Sequence, residues 1–429
     1  MPMIALSLWC TGRLFKGCGP LVLLSAALAN MAVCQAVPAA EGTATPVGSR
    51  ADSGTAEPGT AIPDTATPAH GQPRAYPAAD TLKTGGEQQT RARECLEFLT
   101  WPAGKFDVTV SEAAGDRSGC DRLVRFPSAV PAGSPQLDAV VLEWYIAREK
   151  PVAALSGKLP AAFAPAEQGA EHPRTTKPPV DESKPTNRPA IVVVHESGRG
   201  MTVGRLFART LRNGGVHTFL IQLPHYGHRR VEHPQPEERP FDQVIRQSVA
   251  DVRRARDAVA ALPGIDPARI SLQGTSLGGF VSTTVGSLDP GYRQVFLMLC
   301  GGDLHQVITS GRNEAASLRK RLEQAGLKGE ELKQMLDRIE PSHIAHRLSP
   351  ATTWLYSARE DQVVPLASAV QLAEKAALPP GHHIIFAGNH YSAIGHFLPV
   401  VMHILEQVRS TRPAEQTPAA TSPAAEAQP

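Results

Sequence analysis

Apolar residues in this chain come in short continuous runs, separated by stretches with a helical rhythm. Val140–Ile146, Ala190–Val194, Thr218–Leu223, Ile270–Gln273, Val295–Cys300, Thr352–Ser357 and His383–Ala387 read as strands, short and rich in β-branched or aromatic residues. Val244 to Leu262 places Ile245, Val249, Val252, Val259 and Leu262 against a polar opposite face, the period of an amphipathic helix. Further helices are expected from Leu277, near Ala367–Ala377, and from about Ile394 to Val408. Buried-type strands separated by helices predict an α/β fold, a mostly parallel sheet with helices on both faces. Between Asp303 and Leu348 the alternation gives way to helical sequence. There Leu318 and Leu322 form one apolar pair, and Leu332, Met335, Leu336 and Ile339 form a second stripe. This insertion at 303–348 reads either as extra helices packed on the core or as a cap over a pocket.

Composition adds attachments to that domain. Proline reaches 38 of 429 residues, well above the usual share of about 5%. Residues 1–36 read as an export signal: Arg13 and Lys16 precede an apolar stretch from Gly19 to Ala36 that ends in small residues. The alternative is an uncleaved membrane tether. Residues 37–90 hold seven prolines and few large apolar side chains, which predicts a disordered spacer. A second such break is expected at about 164–189 and a tail at 411–429, leaving a domain over 91–410. Loss of Arg13 and Lys16 with the leader leaves 41 basic against 41 acidic residues. That balance argues against a nucleic-acid binder, and a single apolar run at the start leaves no stable membrane span after cleavage. Export would put the chain in the periplasm or outside the cell. Of the mature cysteines, Cys95 and Cys120 are close enough in sequence to suggest a disulfide in an oxidising compartment, whereas Cys300 ends an apolar run and reads as buried. No metal-ligand spacing appears and no cofactor is expected.

The chemistry concentrates at Gly274-Thr275-Ser276-Leu277-Gly278. The pattern G-x-S-x-G is weak alone, but here a strand precedes it and a helix follows. The glycines let backbones cross at a strained turn that lifts a serine hydroxyl to the carboxyl end of the sheet. A serine needs a base and a group to orient that base. Asp361, just past the strand Thr352–Ser357, and His390, just past His383–Ala387, lie at that same edge in the order Ser, Asp, His. Glu360 rivals Asp361, and His396 rivals His390. His225 and Tyr226 follow another strand at this edge and are candidate substrate-binding residues. A metal reading of His225 and His228 with His217 and His233, and a solvated loop, are the alternatives.

With these residues in place, the chain resembles the α/β-hydrolase superfamily over roughly Val140 to Val408. The stretch from Ser248 to Gly279 is similar to its dienelactone-hydrolase-like and acetyl-esterase-like branches. The resemblance implies a serine hydrolase forming an acyl-enzyme, with a small-molecule ester as substrate. It also implies an oxyanion hole from the N–H of Leu277 and one from the loop after the third strand. That loop reads His195-Glu196-Ser197-Gly198-Arg199-Gly200, with Glu196 where the superfamily often has glycine. Ser197 is the expected second donor, with Glu196 as the alternative. A prolyl-oligopeptidase-like peptidase and a non-catalytic binding protein on the same fold remain the competing functions.

Overall fold

The structure is a computed structural model that describes residues 73–116, 118–148, 187–231 and 240–410. The expected leader, most of the spacer, most of the internal break, the tail and His233 lie outside the described residues.

Ten strands form one mixed sheet. They are β1 (Arg74–Ala79), β2 (Lys105–Glu112), β3 (Arg122–Pro127), β4 (Ala139–Tyr145), β5 (Arg188–Val194), β6 (His217–Gln222), β7 (Ile265–Thr275), β8 (Val295–Met298), β9 (Thr353–Ala358) and β10 (His383–Phe386). Their order is β1-β2-β3-β4-β6-β5-β7-β8-β9-β10. Strands β6, β5, β7, β8, β9 and β10 are parallel, while β1 to β4 extend the sheet in antiparallel pairs, with β4 antiparallel to β6.

The helices are α1 (Thr90–Leu99), α2 (Pro135–Asp138), α3 (Thr202–Asn213), α4 (Phe241–Ala260), α5 (Leu277–Leu288), α6 (Leu304–Ser310), α7 (Glu314–Gln324), α8 (Gly329–Asp337), α9 (Pro341–Ile344), α10 (Leu366–Lys375) and α11 (Phe397–Arg409). The central strands are buried on both faces, and their side chains alternate between two cores. On β5, Ala190, Val192 and Val194 join a core formed with α1, α4 and α5, while Ile191 and Val193 join a core formed with α3 and α11. Every strand expected from Val140 onward is present within a few residues of its expected bounds.

Three expectations need correction. The spacer does not run to residue 90, because β1 pairs with β2 and residues 80–83 are tied to α4 and the loop after α5. Asp80 takes two bonds from Arg254, and Thr81 donates from both its N–H and its hydroxyl to Asp257. Likewise β5 begins at Arg188, inside the expected break at 164–189. Finally, Cys95 and Cys120 do not pair. Both are free thiols, Cys95 on the buried face of α1 in the main core and Cys120 against the core on the opposite sheet face. Their nearness in sequence does not survive because the sheet separates them.

The insertion packs as extra helices on the core, and its first helices also meet the loop that carries Asp361. Leu322, Leu332, Met335, Leu336 and Ile339 join the main core, whereas Val307 and Ala315 pack on Val363 and Val364 in the loop after β9.

Candidate active site

Strand β7 runs straight into α5 with Ser276 at the junction, held at φ 53° and ψ −116°. This left-handed backbone is strained for a side chain bearing a Cβ, and it is tolerated because the surroundings fix it. The Ser276 N–H donates to the Met298 carbonyl of β8 at 2.8 Å. Both glycines of the motif are required by close approach. A Cβ on Gly274 would stand 2.2 Å from the Gly278 carbonyl, and one on Gly278 would stand 2.2 Å from the Val194 carbonyl at the end of β5. The elbow is thus wedged between neighbouring strand ends, and the serine hydroxyl is delivered to the carboxyl edge of the sheet.

The structure brings Ser276, His390 and Asp361 together there. His390 Nε2 lies 3.1 Å from Ser276 Oγ, and His390 Nδ1 lies 2.7 Å from Asp361 Oδ2. Asp361 is buried, and its other oxygen accepts the backbone N–H groups of Val363 and Val364 at 2.8 and 2.9 Å. His390 sits on a turn closed by Asn389, whose side chain accepts the N–H groups of Tyr391 and Ser392. Such an arrangement fixes the imidazole with one nitrogen toward the carboxylate and the other toward the hydroxyl, so it can take the serine proton and return it.

The rivals have other partners. Glu360 accepts from the Gly388 N–H and so pins the loop after β10. His396 stacks on Phe386 with ring centroids 4.4 Å apart and contacts the Ala387 carbonyl.

Leu277 is the first residue of α5, where N–H groups have no acceptor within the helix. The facing loop after β5 is set by residues whose roles are not obvious in the sequence. His195 is fully buried. Its Nε2 accepts the Leu223 N–H at 3.2 Å and its Nδ1 lies 2.6 Å from the Glu196 carbonyl, which assigns the proton to Nδ1. Burial pushes its pKa down to about 4, against a smaller upward pull from the Glu196 carbonyl. Because a trans peptide holds C=O and N–H antiparallel, fixing the Glu196 carbonyl also fixes the direction of the Ser197 N–H. The Glu196 carboxylate turns the other way and caps α3, accepting from the Val203 and Gly204 N–H groups at 3.1 Å each. It therefore substitutes for a side-chain N-cap, which Met201 cannot supply. Arg205 of α3 reaches the Gly200 carbonyl and is held by the fully buried Glu143 of β4. A glutamate inside the apolar run of β4 is the sequence signal that marks this network.

Tyr226 and His225 both follow β6 at this edge. The Tyr226 hydroxyl donates to the Ser197 carbonyl at 3.0 Å, and its ring lies 4.4 Å from that of His195. The loop is anchored from below by Arg229, fully buried and paired with Asp251 of α4 at 2.7 Å. His228 instead faces Asp116 at 2.8 Å. Among the described residues no cluster of His, Cys, Asp or Glu could hold a metal. A hollow of ≈ 330 Å³ lined by Glu374, Leu378 and His383 lies at the opposite end of β10 and is separate from this site.

No protein-family model matches the chain, and no curated protein matches it in sequence. Solved structures similar to it include the acetyl xylan esterase from Paenibacillus sp. R4, at 14% identity and a TM-score of 0.45, over 72% of this chain and 91% of that one. Acetyl xylan esterase 1 from Thermoanaerobacterium sp. JW/SL YS485 is 13% identical with a TM-score of 0.44, over 75% and 93%. An α/β hydrolase from Penicillium sp. sh18 is 16% identical with a TM-score of 0.40, over 52% and 90%. The sheet order and the strand–serine–helix elbow decide the architecture. This chain has an α/β-hydrolase fold.

Proposed function

We propose that the protein is a serine hydrolase that cleaves carboxylic esters through an acyl-enzyme. The observation that carries this reading is the bonded line Ser276–His390–Asp361 on a strained elbow. In this reading His390 takes the hydroxyl proton as Ser276 attacks the ester carbonyl. The N–H groups of Leu277 and Ser197 receive the developing oxyanion, and such donors are each worth on the order of 10²–10³ in rate. His390 then gives its proton to the leaving alcohol. Water, activated by the same imidazole, releases the acid. Asp361 keeps the proton of His390 on Nδ1 and stabilises the imidazolium that forms. The expected leader places this activity in the periplasm or outside the cell. Among the described residues no helix is long and apolar enough to cross a membrane.

A fluorophosphonate probe tests the reading. It should label the folded protein at Ser276 and leave Ser276→Ala unlabelled. Equal labelling of the variant, or none of the wild type, would sink the hydrolase assignment. Activity confined to short peptides, with none on p-nitrophenyl esters, would replace the ester reading with a peptidase one.

A further inference from the structure

The insertion touches all three segments that carry the reacting groups. Val307 of α6 and Ala315 of α7 pack with Val363 and Val364, just past Asp361, and Phe280, one turn along α5 from Ser276, packs against the same cluster. A Cβ on Gly311 would stand 2.6 Å from the Val363 carbonyl, so the link between α6 and α7 runs flush against the loop of Asp361. Arg312 follows, and its N–H donates to the Gln362 carbonyl at 2.8 Å. Glu314, the first residue of α7, accepts the Tyr391 hydroxyl at 2.5 Å, next to His390. Residues 311–314 are thus tied to the neighbours of both Asp361 and His390.

Asn313, between the two bonded residues, sits at φ 54° and ψ −109°, close to the strained backbone of Ser276. Such a conformation persists only where the surroundings over-determine it, and it gathers at functional sites. Here the ties of Arg312 and Glu314 hold it from either side. Tyr391 points the same way from the other end of the bond. Its side is 51% exposed, so packing covers only half of it and the bond to Glu314 fixes its tip. The ring meets the His390 imidazole at 78°, with centroids 5.7 Å apart, so a swing of Tyr391 reaches the imidazole. The inner side of the His390 turn is held separately, where Glu360 bonds Gly388.

We propose that residues 311–314 brace the reacting groups and that Glu314 is a positioning residue: through Tyr391 it holds His390 in line between Asp361 and Ser276. This rests on the ester-hydrolase reading of the site. Acylation and deacylation both pass a proton through His390, so a loosened imidazole slows both steps alike and leaves substrate binding nearly untouched.

Steady-state kinetics on p-nitrophenyl acetate test the brace. Glu314→Ala and Tyr391→Phe should each lower kcat by about tenfold, with KM within about twofold of the wild type. Glu314→Gln keeps an oxygen that accepts the phenol and should retain most of kcat. Because both groups act through one bond, the double variant should lose no more than either single one. Unchanged kcat in both single variants, a change in KM alone, additive losses in the double variant, or a Glu314→Gln loss as large as that of Glu314→Ala overturns the proposal. Hydrogen exchange measured by mass spectrometry separates this failure from failure of the hydrolase reading, since it needs no turnover. Backbone amides of the peptide bearing His390 should exchange about fivefold faster in Glu314→Ala and Tyr391→Phe than in the wild type, and at the wild-type rate in Glu314→Gln. If no ester is turned over and no probe labels Ser276, the hydrolase reading falls while exchange still decides whether Glu314 holds the turn. Unchanged exchange in both variants overturns the brace.

Discussion

His195 makes a prediction whose sign and size both follow from its surroundings. Its pKa is pushed down to about 4 by complete burial, while an unfolded histidine titrates near about 6.5. Below the unfolded value the unfolded chain binds a proton that the folded chain refuses, so folding weakens as pH falls. The stabilisation is complete above about pH 6.5 and is lost progressively down to the folded pKa. At about 1.36 kcal/mol per pKa unit the full difference is about 3 kcal/mol, of which about 2 kcal/mol is gone by pH 5. His217, His383 and His403 are also pushed down to about 4 by burial, so they add the same sign of acid sensitivity. The perturbation that isolates His195 is His195→Gln, whose side chain cannot titrate. Urea unfolding of both proteins near pH 7 and near pH 5 gives the two acid losses, and the other histidines cancel between them. The wild type should lose about 2 kcal/mol more than the variant over that interval. Equal losses would mean that His195 is not held neutral, and the account of how the oxyanion loop is pinned would be wrong.

Other expectations follow from single contacts. Gly278→Ala drives a Cβ to 2.2 Å from the Val194 carbonyl, so the elbow must shift by about 1 Å. Ester turnover should fall by about 10² and melting should report a cost of about 1–3 kcal/mol; full activity would show that the elbow is not wedged. Asp361→Asn leaves His390 without the acceptor that sets its tautomer, and kcat near neutral pH should drop by about 10⁴. A drop of only a few-fold would remove Asp361 from the mechanism. Titration of thiols in denaturant, on protein lacking its first 36 residues, should find Cys95, Cys120 and Cys300 all free; a single free thiol would restore the disulfide.

The central strands and the three reacting residues were legible because their signals are local. Ala190–Val194 is a continuous apolar run, and Ser276, Asp361 and His390 each sit just past a strand, so parallel packing alone carries them to one edge. Strands β1 and β2 of the antiparallel extension were not read, for two different reasons. Strand β2 alternates Phe106, Val108 and Val110 inward against polar neighbours, a period-2 signal that lies plainly in the sequence. Strand β1, Arg-Ala-Tyr-Pro-Ala-Ala, has no such signal. It is a half-exposed edge strand whose proline is tolerated there, and it exists through its pairing with β2. The supporting shell of the site was hidden because it is tertiary. Glu196 caps a helix seven residues on, and Arg229 meets Asp251 across two elements. Cys95 and Cys120 show the reverse error, nearness in sequence read as nearness in space.

The covalent step is the heart of the account, and rapid mixing with a p-nitrophenyl ester followed by intact-mass analysis reaches it directly. A burst of p-nitrophenol equal to the enzyme concentration should appear, with the acyl mass mapped to the peptide bearing Ser276 and no burst in Ser276→Ala. A burst that survives in the variant, or an acyl group found on another residue, would contradict Ser276 as the nucleophile.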